Sequence, residues 1–404
     1  MAIYLDYNAT SPVDTRVLEA MLPYFGDAFG NASSIHSAGQ HARAAVDRAR
    51  ESVAELLGAR PSEIVFTSGG TEAANLAILG AVQAHTFRNG TGSESKKHII
   101  TTQIEHHAVL NTCQELERRG FEVTYVAAGS DGVVDPEDIR RAIRPETLLI
   151  SVMHANNEIG AIQPIEEIGR IAGEADVYFH CDAVQSAGKL PLDVNRLGVD
   201  LLSISAHKIH GPKGVGALFV RPETPLEPQF FGGHHERDRR PGTENVPGIV
   251  GFGKAAELAR QGLGQDTRRI GALRDRLEEA LLASIPSVRV NGDRKRRASN
   301  TTNLTFSGAG GEALVIALDL EGIACSTGAA CSSGSVEPSH VLKAIGLSDD
   351  EARSSLRFSL GRSTTLEEIE MAAAVIPRVV NRIRALSPRS SAGQRQKEVT
   401  APSR

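Results

Sequence analysis

Asp182, Lys208 and Cys331 combine a reactive side chain with a place where it can be used. Asp182 closes the apolar run Phe179-His180-Cys181-Asp182, and Lys208 closes a second run, Ser203-Ile204-Ser205-Ala206-His207-Lys208. As strands of an open α/β sheet, the two runs would aim both side chains into the crevice beyond the strands' carboxyl ends, where ligands of such sheets bind. A Lys and an Asp converging there suit pyridoxal-phosphate chemistry. The amine forms a Schiff base with the aldehyde, and the carboxylate pairs with the protonated pyridine nitrogen. Taken alone, such a pair is more often a salt bridge. Cys331 lies in a stretch of small residues, Ile323-Ala324-Cys325-Ser326-Thr327-Gly328-Ala329-Ala330-Cys331-Ser332-Ser333-Gly334. A stretch of that kind can move, and a thiolate attacks sulfur where a hydroxyl does not. The plainer reading of it is a surface loop with an incidental Cys.

Other pieces belong to the same crevice. Ser68-Gly69-Gly70-Thr71 separates an apolar strand from a helical pattern. Its glycines let backbone N–H groups approach an anion, and the helix N-terminus favours negative charge. Glu105-His106-His107 follows another strand and supplies an imidazole able to stack on a ring and relay protons. His154-Ala155-Asn156-Asn157 follows a third strand and brings amide donors. Arg357, within Leu356-Arg357-Phe358-Ser359-Leu360, is placed to hold an amino-acid carboxylate with two parallel hydrogen bonds. Each piece has a bland alternative: a turn, a structural His, a turn-forming Asn, a salt bridge. Their recurrence at successive strand ends is what points to one site.

Alternating short apolar runs and helical patterns are what must hold these residues. Ile64–Thr67, His98–Thr102, Glu122–Val126, Leu148–Met153, Val177–Cys181, Leu201–Ser205 and Gly216–Val220 read as strands. His36–Leu57, Glu72–Val82 and Ala108–Arg119 read as helices. Continuous apolar strands between helices indicate an α/β fold with a mostly parallel sheet covered on both faces. The texture changes after about residue 255. A long helical pattern, Lys254–Ser284, precedes short strands at Val288–Val290 and Thr301–Phe306, a helix at Glu312–Glu321 and the cysteine stretch. A helix at Pro338–Ile345, a strand at Ser355–Leu360 and a helix at Leu366–Leu386 complete it. This reads as a smaller α+β domain formed by residues 1–13 and 256–386, beside a large domain at 14–255. The polar, Pro- and Ser-rich tail 387–404 reads as disordered.

Composition excludes several classes. The chain has 404 residues, 41% apolar and 23% charged, with a net charge of −5. That is ordinary for a soluble globular protein, and it argues against direct binding to nucleic acid. No apolar run is long enough to span a bilayer, and the start lacks a signal-peptide pattern, which points to the cytoplasm and away from a membrane. The four cysteines, Cys113, Cys181, Cys325 and Cys331, form no C-x-x-C pair, so no metal site is expected.

With these motifs assembled, the chain resembles the cysteine desulfurases, a branch of the fold-type I pyridoxal-phosphate enzymes related to class-V aminotransferases. The resemblance runs from Tyr4 to about Thr365. It is carried by YLDYNAT, GNASSIH, EIVFTSGGTEAANLAI, IEHHAVL, HANNEIG, HCDAVQSAG, SISAHKIHGPKGVGAL, RRPGTENV, CSTGAACSSGSVEPSHVLKAIG and LRFSLGR. It implies a seven-stranded, mostly parallel sheet in the large domain, pyridoxal phosphate as cofactor and L-cysteine as substrate. Lys208 would carry the cofactor and move the Cα proton. Asp182 would pair with the pyridine nitrogen, Gln185 with the ring-hydroxyl side, and His106 would stack on the ring. Gly70, Thr71, Ser205 and His207 would hold the phosphate, joined by Thr243 from a partner subunit, so the resemblance also implies a homodimer. Asn157 and Arg357 would bind the substrate carboxylate, and Cys331 would accept sulfur as a persulfide. The Ala-Ala-Cys-Ser-Ser-Gly stretch around Cys331 looks like that of the branch with the longer, mobile cysteine loop, which serves iron–sulfur cluster assembly and tRNA thiolation. The expected acceptor is accordingly an iron–sulfur scaffold or a tRNA-thiolating enzyme.

The chain departs from the family at Ala32, where Pro is usual, and at Tyr7, where Asn is frequent. It also carries an extra thiol, Cys325. A selenocysteine lyase or another pyridoxal-phosphate β-lyase would share the Asp182/Lys208 crevice without depending on Cys331. A sulfur-carrier subunit without catalysis would not need to keep all three of Asp182, Lys208 and Cys331.

Overall fold

The computed structural model describes residues 2–89, 96–328 and 337–386; Cys331 and the tail 387–404 lie outside the described residues. The chain divides into two compact units, one formed by Thr10–Asn157 with Ala161–Asp266, the other by Met1–Ala9, Glu158–Gly160 and the chain from Thr267 onward.

The larger unit is built on a seven-stranded sheet in the order Ile64–Thr67, Gly216–Val220, Leu201–Ser205, Tyr178–Asp182, Thr147–Met153, His98–Thr102, Glu122–Val126. The last five strands pair in parallel, and Gly216–Val220 runs antiparallel to both of its neighbours. Strand direction was not legible in the apolar runs, because a strand buried on both faces shows the same composition either way. Chain order reverses between His98–Thr102 and Thr147–Met153, which makes the carboxyl ends of those two strands a topological switch point.

Helices cover both faces. On one, Ala42, Val46, Ala49 and Val53 of helix Ser37–Leu57 pack in a core with Phe66, Phe219 and Ile204. Their spacing is that of a single apolar helix stripe. His36 Nδ1 caps the Gly39 N–H, and Gly58 ends the helix at φ 64°. On the other face, helix Gly70–Asn89 places Ala73, Leu76 and Ala77 against Val65 and Leu218, and Ala74 and Ile78 against Ile99 and Leu149. This helix is longer at both ends than its sequence pattern shows. It is buried on more than one side, so it lacks the polar stripe that marks an end.

Two imidazoles tie the strands together inside the sheet. His98 bridges the hydroxyls of Thr147 and Thr124 at 2.8 and 2.9 Å, and His180 bridges those of Ser151 and Ser203 at 2.8 and 2.9 Å. Burial pushes His98 down to about 4 and His180 to about 3. Both rings therefore stay neutral, with one donor and one acceptor for two hydroxyls.

The smaller unit holds an antiparallel sheet, Ser355–Ser359, Thr301–Phe306, Val288–Val290, and a short parallel pair, Ile3–Tyr4 with Ile323–Ala324. Leu304, Phe306, Leu356 and Phe358 pack there against Leu314 and Leu318 of helix Gly311–Leu320 and Ile369 and Ile376 of helix Leu366–Leu386. Helix Val246–Ser284 runs from one unit into the other, and it begins earlier than the pattern at Lys254 indicates. Among the described residues no helix is long and apolar enough to cross a membrane.

Candidate active site

Asp182 is the last residue of its strand, and Lys208 ends the single helical turn Ala206–Lys208 after the next strand. Adjacent parallel strands pair Asp182 with Ser203, so the two chain exits lie side by side. Asp182 is buried, and its Oδ1 accepts the Val184 N–H at 2.9 Å. Burial raises its carboxyl to about 6, against the pull of that N–H and of the Lys208 charge. A carboxylate held in this way gains by meeting a protonated ring nitrogen.

The loop Ser68-Gly69-Gly70-Thr71 lies against the same turn. A Cβ on Gly70 would stand 2.7 Å from Val184 Cγ2 and 3.6 Å from Ser205 Cβ, so only glycine lets the backbone approach here. Across the sheet, a Cβ on Gly216 would stand 2.7 Å from the Gly69 carbonyl carbon. Gly70, Ser205 and the Asp182 turn are thereby brought together at the start of helix Gly70–Asn89, whose N–H groups suit an anion. Thr71 and Thr243 are exposed. His207 Nδ1 lies 3.1 Å from Thr10 Oγ1, and its backbone carbonyl accepts the Ser11 hydroxyl at 2.8 Å. Burial, then the charges of Lys208, Lys213 and Lys189, lower His207 to about 4, so it is an uncharged hydrogen-bonding group at neutral pH. Gln185 is buried, and its Oε1 accepts from Lys189 Nζ at 2.9 Å.

His106 and Asn157 follow the two strands at the switch point. His106 caps helix His107–Arg118, its Nδ1 accepting the Ala108 N–H at 3.1 Å. In the neutral ring that contact leaves the proton on Nε2. Asn157 is half-buried, and its neighbour Asn156 donates from Nδ2 to the Ile104 carbonyl at 2.9 Å.

Glu105 is the residue that sequence reasoning passed over. It is fully buried, and its Oε1 accepts the Thr102 hydroxyl at 2.7 Å and the Met153 N–H at 2.9 Å. It joins the ends of strands His98–Thr102 and Thr147–Met153, and Met153 is the register partner of Asp182. Burial pushes its carboxyl up to about 8, and the nearby negative charge of Asp182 adds to the rise. Its place beside two histidines was the only sign of it in the sequence.

The remaining candidates lie in the smaller unit. Arg357 is buried in strand Ser355–Ser359, and its Nη2 donates to Asp6 Oδ1 at 2.7 Å. Its backbone N–H donates to the Ser326 carbonyl at 2.6 Å, which ties the strand to the beginning of the cysteine stretch. Cys325 is buried, and burial pushes its thiol up to about 12, so it is not a thiolate at neutral pH. Cys331 lies outside the described residues. Among the described residues no group of three or more His, Cys, Asp or Glu is placed to hold a metal ion.

The larger unit fits pyridoxal phosphate: it offers a glycine cradle at a helix N-terminus for the phosphate, a buried carboxylate for the ring nitrogen, and an amine beside it. Residues 3–371 match the family described as Aminotransferase class-V. The chain is 53% identical to a cysteine desulfurase IscS of Anaeromyxobacter sp. (strain Fw109-5) over 389 residues, 96% of this chain and 94% of that one. It is 49% identical to a cysteine desulfurase IscS of Dictyoglomus turgidum over 386 residues, 96% of each. Among solved structures, a NifS-like protein matches with a TM-score of 0.87 and 38% identity, covering 94% of this chain and 100% of that one. SspA in complex with cysteine matches with a TM-score of 0.77 and 41% identity, covering 88% and 98%.

Two outcomes follow from this geometry. The Glu105 carboxyl stands at about 8 in the fold against an ordinary 4.5. Between those values the folded chain keeps a proton that the unfolded chain releases. Stability from this group is therefore complete below pH 4.5 and is lost as pH rises through 8. Glu105→Gln should remove the loss, so melting curves of variant and parent should separate in the variant's favour on going from acid to mildly basic buffer. Curves that stay parallel would contradict it. Gly70→Ala should cost about 1–3 kcal/mol of steric strain, or roughly ten- to a hundredfold in pyridoxal-phosphate affinity, read by titrating the apoprotein.

Proposed function

The chain belongs to the class-V aminotransferase family, among its cysteine desulfurases, and from that premise we propose that it moves sulfur from L-cysteine onto Cys331, releasing L-alanine. The observation that carries the reading is the buried Asp182 carboxylate with the Lys208 charge acting on it beside the Gly70 cradle. The relative solved with cysteine bound supports the substrate. Pyridoxal phosphate, when bound, supplies an electron sink for the bonds at the substrate's Cα.

The chain's own residues do the rest. Asp182 holds the proton on the ring nitrogen, and Gln185 bonds the ring-hydroxyl side. Gly70, Thr71, Ser205 and His207 hold the phosphate, with Thr243 of a partner subunit as a further donor. His207, being uncharged, hydrogen-bonds without adding a second positive charge beside Lys208. Lys208 Nζ takes the Cα proton, and His106, protonated on Nε2 when neutral, stacks on the ring and assists that transfer. Asn157 and Arg357 take the substrate carboxylate. The Cys331 thiolate attacks the substrate sulfur. A sulfur–sulfur bond forms as the substrate Cβ–S bond breaks, the electron pair left on carbon takes up a proton at Cβ, and Lys208 Nζ returns the proton to Cα, giving alanine. The larger unit thus serves the cofactor and the smaller one carries the sulfur acceptor.

The rest of the proposal concerns partners. The chain works as a homodimer in the cytoplasm and hands its persulfide to an iron–sulfur scaffold or a tRNA-thiolating enzyme. Leu22, Phe25, Phe29 and Ile35 are 56%, 67%, 78% and 93% exposed within one short segment, more apolar surface than a monomer usually leaves in contact with water. That segment supports a subunit interface.

Cys331→Ala should form neither alanine nor sulfide from L-cysteine beyond background, while keeping the yellow absorbance near ~420 nm of bound cofactor. Alanine production that survives the substitution would move the assignment to a selenocysteine lyase or another β-lyase. Leu22→Glu together with Phe25→Glu should convert a sedimenting dimer to monomer, and an unchanged dimer would remove this segment from the interface.

A further inference from the structure

The segment from His235 to Glu244 has a backbone that its residues do not favour. Glu236, Arg237 and Asp238 have φ of 44°, 56° and 64°, three successive non-glycine residues in the left-handed region. Each is strained, because the side chain's Cβ crowds the backbone there. A fold that keeps three in a row must hold them from outside.

Ion pairs within the larger unit do so. Arg50, on helix Ser37–Leu57, meets Glu236 with two parallel hydrogen bonds of 2.7 Å, and both side chains are buried. The same guanidinium donates to the Ile64 carbonyl at 2.8 Å and lies 4.7 Å from the centre of the Phe66 ring. The Phe66 N–H in turn donates to Glu236 Oε2 at 2.9 Å. Ile64 and Phe66 belong to the strand that leads directly into Ser68-Gly69-Gly70-Thr71. At the far end of that loop, Glu72 Oε2 accepts the Ser68 N–H at 2.8 Å and Glu72 Oε1 accepts from Arg240 Nε at 2.8 Å. Burial works to raise the Glu72 carboxyl, but the hydrogen bonds from Arg240 and Ser68 outweigh it and hold it below its ordinary value. Next to Thr243, Glu244 Oε1 accepts from Arg43 Nη2 at 2.6 Å, and Arg43 Nε donates to the Ala32 carbonyl at 3.0 Å.

We propose that Arg50–Glu236, Arg240–Glu72 and Arg43–Glu244 form a clamp that fixes the strained turn and Thr243 to the frame of this chain's own phosphate loop. The loop that holds phosphate and the segment that presents Thr243 are then one mechanical piece. All six are positioning residues. The proposal rests on Gly70, Thr71 and Thr243 serving the cofactor phosphate, as read above. Charge matters most at Arg50, since a neutral partner there would leave a buried guanidinium unpaired.

Pyridoxal-phosphate titration of the full-length apoprotein, with thermal melts alongside, tests the clamp. Glu236→Gln and Glu72→Gln should each weaken cofactor binding roughly tenfold, with turnover per bound cofactor retained. Adding Arg237→Gly to Glu236→Gln should restore most of the affinity, because glycine adopts a φ of 56° without strain. Unchanged affinity in both single variants overturns the clamp, and so does a loss that the glycine fails to recover. Should Glu236→Gln not fold, Glu72→Gln decides alone, its pair being only half-buried. Thr243→Ala separates the two levels. If it binds cofactor like the parent while the clamp variants do not, the role of Thr243 fails and the clamp on the phosphate loop stands; the reverse pattern removes the clamp and keeps Thr243.

Discussion

A carboxylate held in the interior at the end of a parallel strand constrains everything around it. An ionised Asp182 away from water is tolerable only with compensation, and the fold supplies two forms: a backbone N–H from Val184 and the charge of Lys208. Glu105 complicates the balance, since burial and then the nearby charge of Asp182 both oppose its ionisation. The fold resolves this by keeping Glu105 protonated at neutral pH, where it accepts hydrogen bonds and adds no charge. One acid is left to ionise and the other to brace the strand ends. The interior below them follows the same rule. His180 and His98 stay neutral, and each satisfies two hydroxyls on neighbouring strands.

The anion-binding side depends on close backbone approach. Gly70 and Gly216 are glycines because side chains there would collide with Val184 and with the Gly69 backbone. That contact is also what joins the Gly69-Gly70 loop to the Asp182 turn, so the loop and the carboxylate are placed by one packing event. The neutral His207 and the helix N-terminus then offer donors without a further buried charge. The ion pairs that tie Glu236, Arg240 and Glu244 to this frame extend it to the exposed Thr243.

The smaller unit shows a related economy. Arg357 is held by Asp6 through its guanidinium and by Ser326 through its backbone, so two chain segments fix the residue. Cys325, close by in the chain, is made unreactive chiefly by burial, with the charge of Asp6 adding to the rise.

Much of this was legible before folding. The short runs marked all seven strands of the large sheet, six of them because buried strands must be apolar and Glu122–Val126 by its β-branched and aromatic residues. The residues after those strands marked the crevice, because strand ends are where a parallel sheet exposes its ligand-binding edge. Asp182, Lys208 and the Gly69-Gly70 loop came from residue type and position alone. Tertiary structure decided the direction of Gly216–Val220, since hydrogen-bond polarity leaves no trace in composition. It also decided the protonation of Glu105 and His207, since a carboxyl or imidazole takes its pKa from its neighbours in space. The Arg50–Glu236, Arg240–Glu72 and Arg43–Glu244 pairs belong to the same class. Their partners lie far apart in the chain, and only packing brings a charged side chain on a helix to its partner in a distant turn.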